Sequence, residues 1–189
     1  RANCCRNVVC DTIVKPSVSP LSNQSRCSGE PSIGSPQRVG LTPSASATIT
    51  SRGANGVDGW LCSRDAIQIA EESKIFAPAN MRAAQDLSAY GDLIDYWMTN
   101  RYTLRYSGGL VPDVYQQFTK NQGVFSNPTS PSSPAKLRLA FEAAPWGLLV
   151  EAAGGKTSDG TSGGSILDVK ITAVDQRTAL CIGSSNEVD

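Results

Sequence analysis

The sequence predicts a mainly β (α+β) protein. A disulfide-stapled N-terminal domain of one helix plus strands is followed by an antiparallel β-sandwich or barrel-like C-terminal domain. Three observations predict it. Half of the six cysteines crowd into the opening stretch, as Cys4, Cys5 and Cys10. Short runs of alternating apolar and polar residues recur through the second half, punctuated by Gly, Ser and Pro. The cysteine density also changes along the chain: Cys27 and Cys62 complete the early set, and only Cys181 lies beyond. A composition shift over residues 85–100 sets the expected domains at 1–90 and 91–189.

The first element is a helix over Asn3–Val14, with Asn3 as N-cap and Pro16 stopping it. On such a helix Cys4 and Cys10 stand about 9 Å apart along the axis, beyond disulfide reach. Cys4, Cys5 and Cys10 are therefore expected to bond outward, to Cys27, Cys62 and Cys181, with six connectivities open. Zinc is the competing use of clustered cysteines. The C-C-x4-C spacing and the lack of histidine speak against it. Ser44–Thr50 alternates and reads as a strand, Asn55-Gly56 as a turn, and Trp60–Cys62 and Ala66–Ile69 as further strands. Asn80–Leu87 reads as a short helix capped by Asn80, with a strand nearly as well supported.

Beyond residue 100 three stripes carry the sandwich expectation. They are Tyr102/Leu104/Tyr106, Leu137/Leu139/Phe141 and Leu167/Val169/Ile171, with Thr178–Ile182 closing the series. Gly154–Ser165 reads as a loop.

Lys+Arg and Asp+Glu number 17 each, so no net field points to nucleic acid. No apolar run approaches the roughly 20 residues of a membrane span, so no membrane insertion is expected. The chain begins at Arg1 without an apolar leader, and its cysteine use suggests an oxidising compartment. The expectation is a secreted, extracellular protein whose leader has been removed. Asn23-Gln24-Ser25 is a possible glycosylation site at Asn23.

Candidate chemistry is sparse. Gly160-Thr161-Ser162-Gly163-Gly164 matches the G-x-S-x-G elbow, but the chain has no histidine to activate the serine. Gly155-Lys156-Thr157 resembles the end of a P-loop, but Val150 stands where its first Gly is required. Asp92/Asp95 and Glu71/Glu72 are carboxylate pairs of the kind a glycosidase uses, and solvated surface charge explains them as well. No catalytic residue, cofactor or metal site is expected. Trp60, Trp97 and Trp146, with Tyr90, Tyr96, Tyr102, Tyr106 and Tyr115, could form a sugar-stacking platform or a core.

The opening ANCCRNVVCDTIVKP, the later cysteines and the cysteine-poor second half resemble the Secreted in Xylem effectors of Fusarium oxysporum, the dual-domain effector family. The resemblance implies secretion into plant xylem or apoplast and a pro-segment cut away after basic residues. It also implies a non-enzymatic virulence or avirulence role. The expected partner is a host plant protein or immune receptor, met by a monomer. A carbohydrate-binding module and a protease inhibitor are the alternative functions.

Overall fold

The structure is a computed structural model that describes residues 12–17, 46–52 and 60–189. It divides into two compact units, Arg1–Ile67 and Gln68–Asp189.

In the first unit β1 (Thr12–Ser17), β2 (Ser46–Arg52) and β3 (Trp60–Ile67) form an antiparallel sheet in the order β1-β2-β3. Val14 pairs with Ile49, and the register shifts between Ala47 and Thr50. β2 lies where the alternation of Ser44–Thr50 predicts a strand, and β3 merges two expected strands. The helix expected over Asn3–Val14 is corrected at its end, where Thr12–Val14 are strand. β-branched Thr12, Ile13 and Val14 favour that pleat over a helix. The rest of that helix, Cys4, Cys5, Cys10, Cys27, Asn23 and the side chain of Cys62 lie outside the described residues.

The second unit is built on a mixed sheet of five strands. These are β4 (Ile75–Pro78), β5 (Thr103–Leu104), β6 (Val124–Asn127), β7 (Lys156–Ser158) and β8 (Leu180–Gly183), in the order β5-β4-β6-β8-β7. β4 runs parallel to both β5 and β6, whereas β8 is antiparallel to β6 and β7. Parallel neighbours need crossovers, and helices supply them. α1 (Ser88–Thr99) leads from β4 to β5, and α2 (Leu110–Lys120) leads from β5 to β6. α3 (Ala144–Ala152) precedes β7, and a one-turn α4 (Ser185–Val188) follows β8.

α1 presents Tyr90, Ile94 and Trp97 at helical spacing, and all three are buried. They pack with Phe76 and Val124, which share one face of β4 and β6. The Phe76 and Trp97 rings lie 5.1 Å apart. Each such buried side chain contributes about 1.5–3 kcal/mol. Strand alternation turns Phe125 and Ile182, a register pair, to the opposite face, where both are also buried. The sheet is therefore covered on both sides, as a parallel centre requires. Gly183, at φ 148°, lets β8 lie against β6; a Cβ there would strike the carbonyl oxygen of Gly123.

The antiparallel sandwich or barrel is overturned: this unit is an α/β layer structure. The three stripes that suggested it are too short to set a strand against the packing around them. Tyr102–Tyr106 yields only the two residues of β5. Leu137–Phe141 winds into a π-helical turn, Leu139–Ala143, that runs on into α3. Leu167–Ile171 holds part of a 3-10 turn, Ile166–Asp168, and leaves Leu167 and Ile171 exposed. Disulfide stapling is likewise not found among the described residues, where Cys181 carries a free thiol. Cys181 packs against the α1 cluster, and burial pushes its thiol up to about 12. The boundary expected at residue 90 falls within α1.

Candidate functional site

The first crossover carries the chain from β4 to β5 on one side, and the second returns from β5 past β4 to β6 on the other. In open α/β sheets such a switch point leaves a crevice beyond the carboxyl ends of the strands. A cavity of about 270 Å³ lies there. Ala79, Asn80 and Arg82 follow β4, Tyr106 follows β5, and Phe125 and Asn127 close β6. The segment Ser133–Leu137 completes the wall.

Asn80 adopts a left-handed conformation, φ 49°, which asparagine tolerates better than most residues. It does not cap the following 3-10 turn, Met81–Gln85, as the sequence suggests. Its Nδ2 instead donates to the carbonyl oxygens of Pro128 and Ser133, each at 2.8 Å. Asp86 accepts from the backbone N–H of Ser132 at 3.0 Å, and also from its hydroxyl. These bonds fasten loop 128–135 to the end of β4. Below the pocket Tyr90 donates to the carbonyl of Ala79 at 2.8 Å, and burial pushes its hydroxyl up to about 12.

Two cations line this pocket, Arg82 and Lys136. Both are exposed, and neither is ion-paired among the described residues, where the pairs are Arg138–Glu142 and Lys156–Asp189. Tyr106 and Asn127 add a hydroxyl and a carboxamide. The lining holds no acidic side chain. Cationic forks and point charges with neutral donors suit an oxyanion such as phosphate. Among the described residues no group of three or more His, Cys, Asp and Glu side chains is placed to hold a metal ion.

The residues singled out from sequence are mostly elsewhere. Asp92 and Asp95 are exposed on α1, and Glu71 and Glu72 are exposed before β4. Gly160–Gly164 is an exposed loop ordered by Asp159, which accepts from Thr161 and Ser162. Burial pushes the Asp159 carboxyl up, but these bonds outweigh it and hold it down at about 2. Lys156 pairs with Asp189 at 2.6 Å. Among the described side chains the aromatics do not gather into one platform: Trp97 is core, Trp146 packs 6.1 Å from Phe118, Tyr96 and Tyr102 pair 6.0 Å apart, and Tyr106 alone of them enters the pocket. The Trp60 side chain lies outside the described residues. Asn80, Arg82, Asn127 and Lys136 carried no sequence signal as a set, because they are contiguous only in space.

The family described as "Fructose-1-6-bisphosphatase, C-terminal domain" matches residues 69–189. A chloroplastic sedoheptulose-1,7-bisphosphatase of Spinacia oleracea is 50% identical over 117 residues, which is 62% of this chain and 30% of that protein. A class 1 fructose-1,6-bisphosphatase of Geobacter sulfurreducens is 34% identical over 152 residues, 80% of this chain and 48% of that protein. Among solved structures, one described as "Putative Sedoheptulose-1,7 bisphosphatase from Toxoplasma gondii" is 55% identical, with TM-score 0.70. It is matched over 75% of this chain and 42% of its own. The holo form of Leishmania major fructose-1,6-bisphosphatase is 30% identical at TM-score 0.68, over 78% of this chain and 46% of its own. The chain thus spans a third to a half of the length of the curated relatives it matches.

These matches overturn the resemblance to Secreted in Xylem effectors, which rested on a cysteine pattern and the character of the remainder. The non-enzymatic effector, the carbohydrate-binding module and the protease inhibitor fall with it. So do the host receptor partner and the monomer inferred with it. Secretion to xylem or apoplast is also overturned: the Spinacia oleracea and Chlamydomonas reinhardtii relatives are described as chloroplastic, and the Geobacter sulfurreducens relative is a bacterial metabolic enzyme. Over residues 69–189, and on the fold that carries the crevice, the chain belongs to the fructose-1,6-bisphosphatase family.

Proposed function

We propose that the protein hydrolyses a phosphate ester of a sugar bisphosphate, sedoheptulose-1,7-bisphosphate in preference to fructose-1,6-bisphosphate, and that the pocket at the end of β4 grips the phosphate that does not react. One observation carries the reading. Arg82 and Lys136, without ion pairs among the described residues, line one cavity with Tyr106 and Asn127. The choice of sugar rests on the identities, 48–55% to proteins described as sedoheptulose bisphosphatases against 30–36% to those described as fructose bisphosphatases.

Uncatalysed phosphate-monoester hydrolysis is among the slowest biological reactions, so the reacting phosphate must be held in one geometry. The second phosphate supplies a handle. Arg82 and Lys136 neutralise it, and the Tyr106 hydroxyl and Asn127 amide donate to its oxygens. Binding energy gathered there is spent on orienting the rest of the sugar.

Phosphate release by the full-length protein tests this. Sedoheptulose-1,7-bisphosphate is expected to show the higher kcat/KM. Lys136→Ala should raise KM about tenfold or more, the scale of one lost charge-assisted contact. A monophosphate lacking the handle should lose kcat as well as affinity. Equal turnover of mono- and bisphosphates, with Lys136→Ala unchanged, would reject the reading.

A further inference from the structure

The segment carrying Tyr106 is poorly packed. Arg105, Tyr106, Ser107 and Gly108 are all exposed, and Gly108 has φ 91°. It is held by hydrogen bonds instead. The Arg105 N–H donates to the carbonyl of Phe76 at 2.9 Å, and Gln116 Nε2 donates to the carbonyl of Arg105 at 2.9 Å. The Ser107 N–H donates to Asp113 Oδ1 at 2.7 Å. Asp113 itself is buried, 2% exposed, in the first turn of α2. Its second oxygen, Oδ2, is buried without a hydrogen-bond partner among the described residues.

A buried carboxylate with one oxygen unsatisfied is costly. What the fold gains for that cost, in the geometry present, is one charge-assisted bond to the amide next to Tyr106. We propose that Asp113 is a positioning residue of the phosphate pocket, fixing Ser107 and so presenting the Tyr106 hydroxyl to the bound phosphate. The proposal rests on the pocket being a phosphate site. Asp113 does not touch the phosphate; it acts through the segment it holds.

The test is titration of the full-length protein with inorganic phosphate, at a temperature where every variant compared is folded. Wild type should bind saturably. Asp113→Ala should bind about tenfold more weakly, the scale of a lost hydrogen bond to a charged group. Asp113→Asn keeps the Oδ1 acceptor and should recover most of that loss. In the Asp113→Ala background, Tyr106→Ala should add little, because the two act in series. Undiminished binding by folded Asp113→Ala, or no rescue by asparagine, overturns the proposal while leaving the phosphate site standing. A wild type that does not bind phosphate removes the phosphate site, and the proposal with it. If Asp113→Ala fails to fold, amide exchange in wild type decides. The Ser107 N–H must be protected and become more so with phosphate, and peptide-like exchange there overturns the proposal.

Discussion

Asn80 and Ser133, fifty-three residues apart in sequence, are joined by a reciprocal pair of hydrogen bonds. The Asn80 amide nitrogen donates to the Ser133 carbonyl at 2.8 Å, and the Ser133 hydroxyl donates back to Asn80 Oδ1 at 2.6 Å. One carboxamide therefore latches the pocket wall to the end of β4. Asn80→Gly keeps the left-handed backbone accessible and removes only the latch. It should cost about 1–3 kcal/mol in urea unfolding, the scale of buried polar groups left unpaired. It should also raise KM for the bisphosphate. Asn80→Ala adds the left-handed strain and should be less stable still.

Loop 128–135 should loosen in acid. Hydrogen bonds from Ser130 and then Ser132 hold the Asp86 carboxyl below its ordinary value. A depressed folded value stabilises the loop fully above the ordinary carboxylate range, near about 4. That contribution drains away as pH falls through the folded value. The protection factor of the Ser132 amide should drop with pH in this window. Asp86→Asn should be weakly protected throughout, with a flat profile.

In alkali the sign reverses. Burial, opposed by the Ser126 hydroxyl, raises the Tyr90 phenol from 10.0 to about 12. The protonated form belongs to the fold, so its contribution is whole below pH 10 and lost as pH rises toward about 12. Urea unfolding measured from pH 8 upward should show that decline. Tyr90→Phe should flatten it, at a lower starting stability because the bond to Ala79 is gone.

Cys181 should resist alkylation in the native protein. Its thiol, raised to about 12, holds almost no thiolate at neutral pH. Peptide mapping after iodoacetamide should find it unmodified until denaturant is added. Rapid labelling of the native chain would contradict its placement against the α1 cluster.

Part of this was legible from residues alone. β2 announces itself because alternation persists through Ser44–Thr50, whereas β3 shows only its ends, Trp60–Cys62 and Ala66–Ile69, and the run Thr178–Ile182 overlaps β8. The helices hid for different reasons. α3, Ala-Pro-Trp-Gly-Leu-Leu-Val-Glu-Ala, is apolar on nearly every side, so it shows no face. α2 begins with Pro112 close inside its start, which reads as a break unless the helix start is known. Leu137, Leu139 and Phe141 alternate by coincidence: Leu139 is buried and Phe141 exposed. The site was invisible because no two of its polar groups form a motif. A sheet order places Asn80, Tyr106, Asn127 and Lys136 together, and sequence spacing does not encode that order. The cysteine cluster, the loudest local signal, bears on none of them.

The sheet order also dictates when this unit can be finished during synthesis. β8 lies between β6 and β7, and within the sheet β7 pairs with β8. While a ribosome still covers Leu180–Gly183, β6 has one bare edge and β7 has no strand to join. The nascent polypeptide must therefore wait, with those backbone groups open, for the last-made strand of this sheet. Pausing or truncation ahead of that segment should leave a species that chaperones hold.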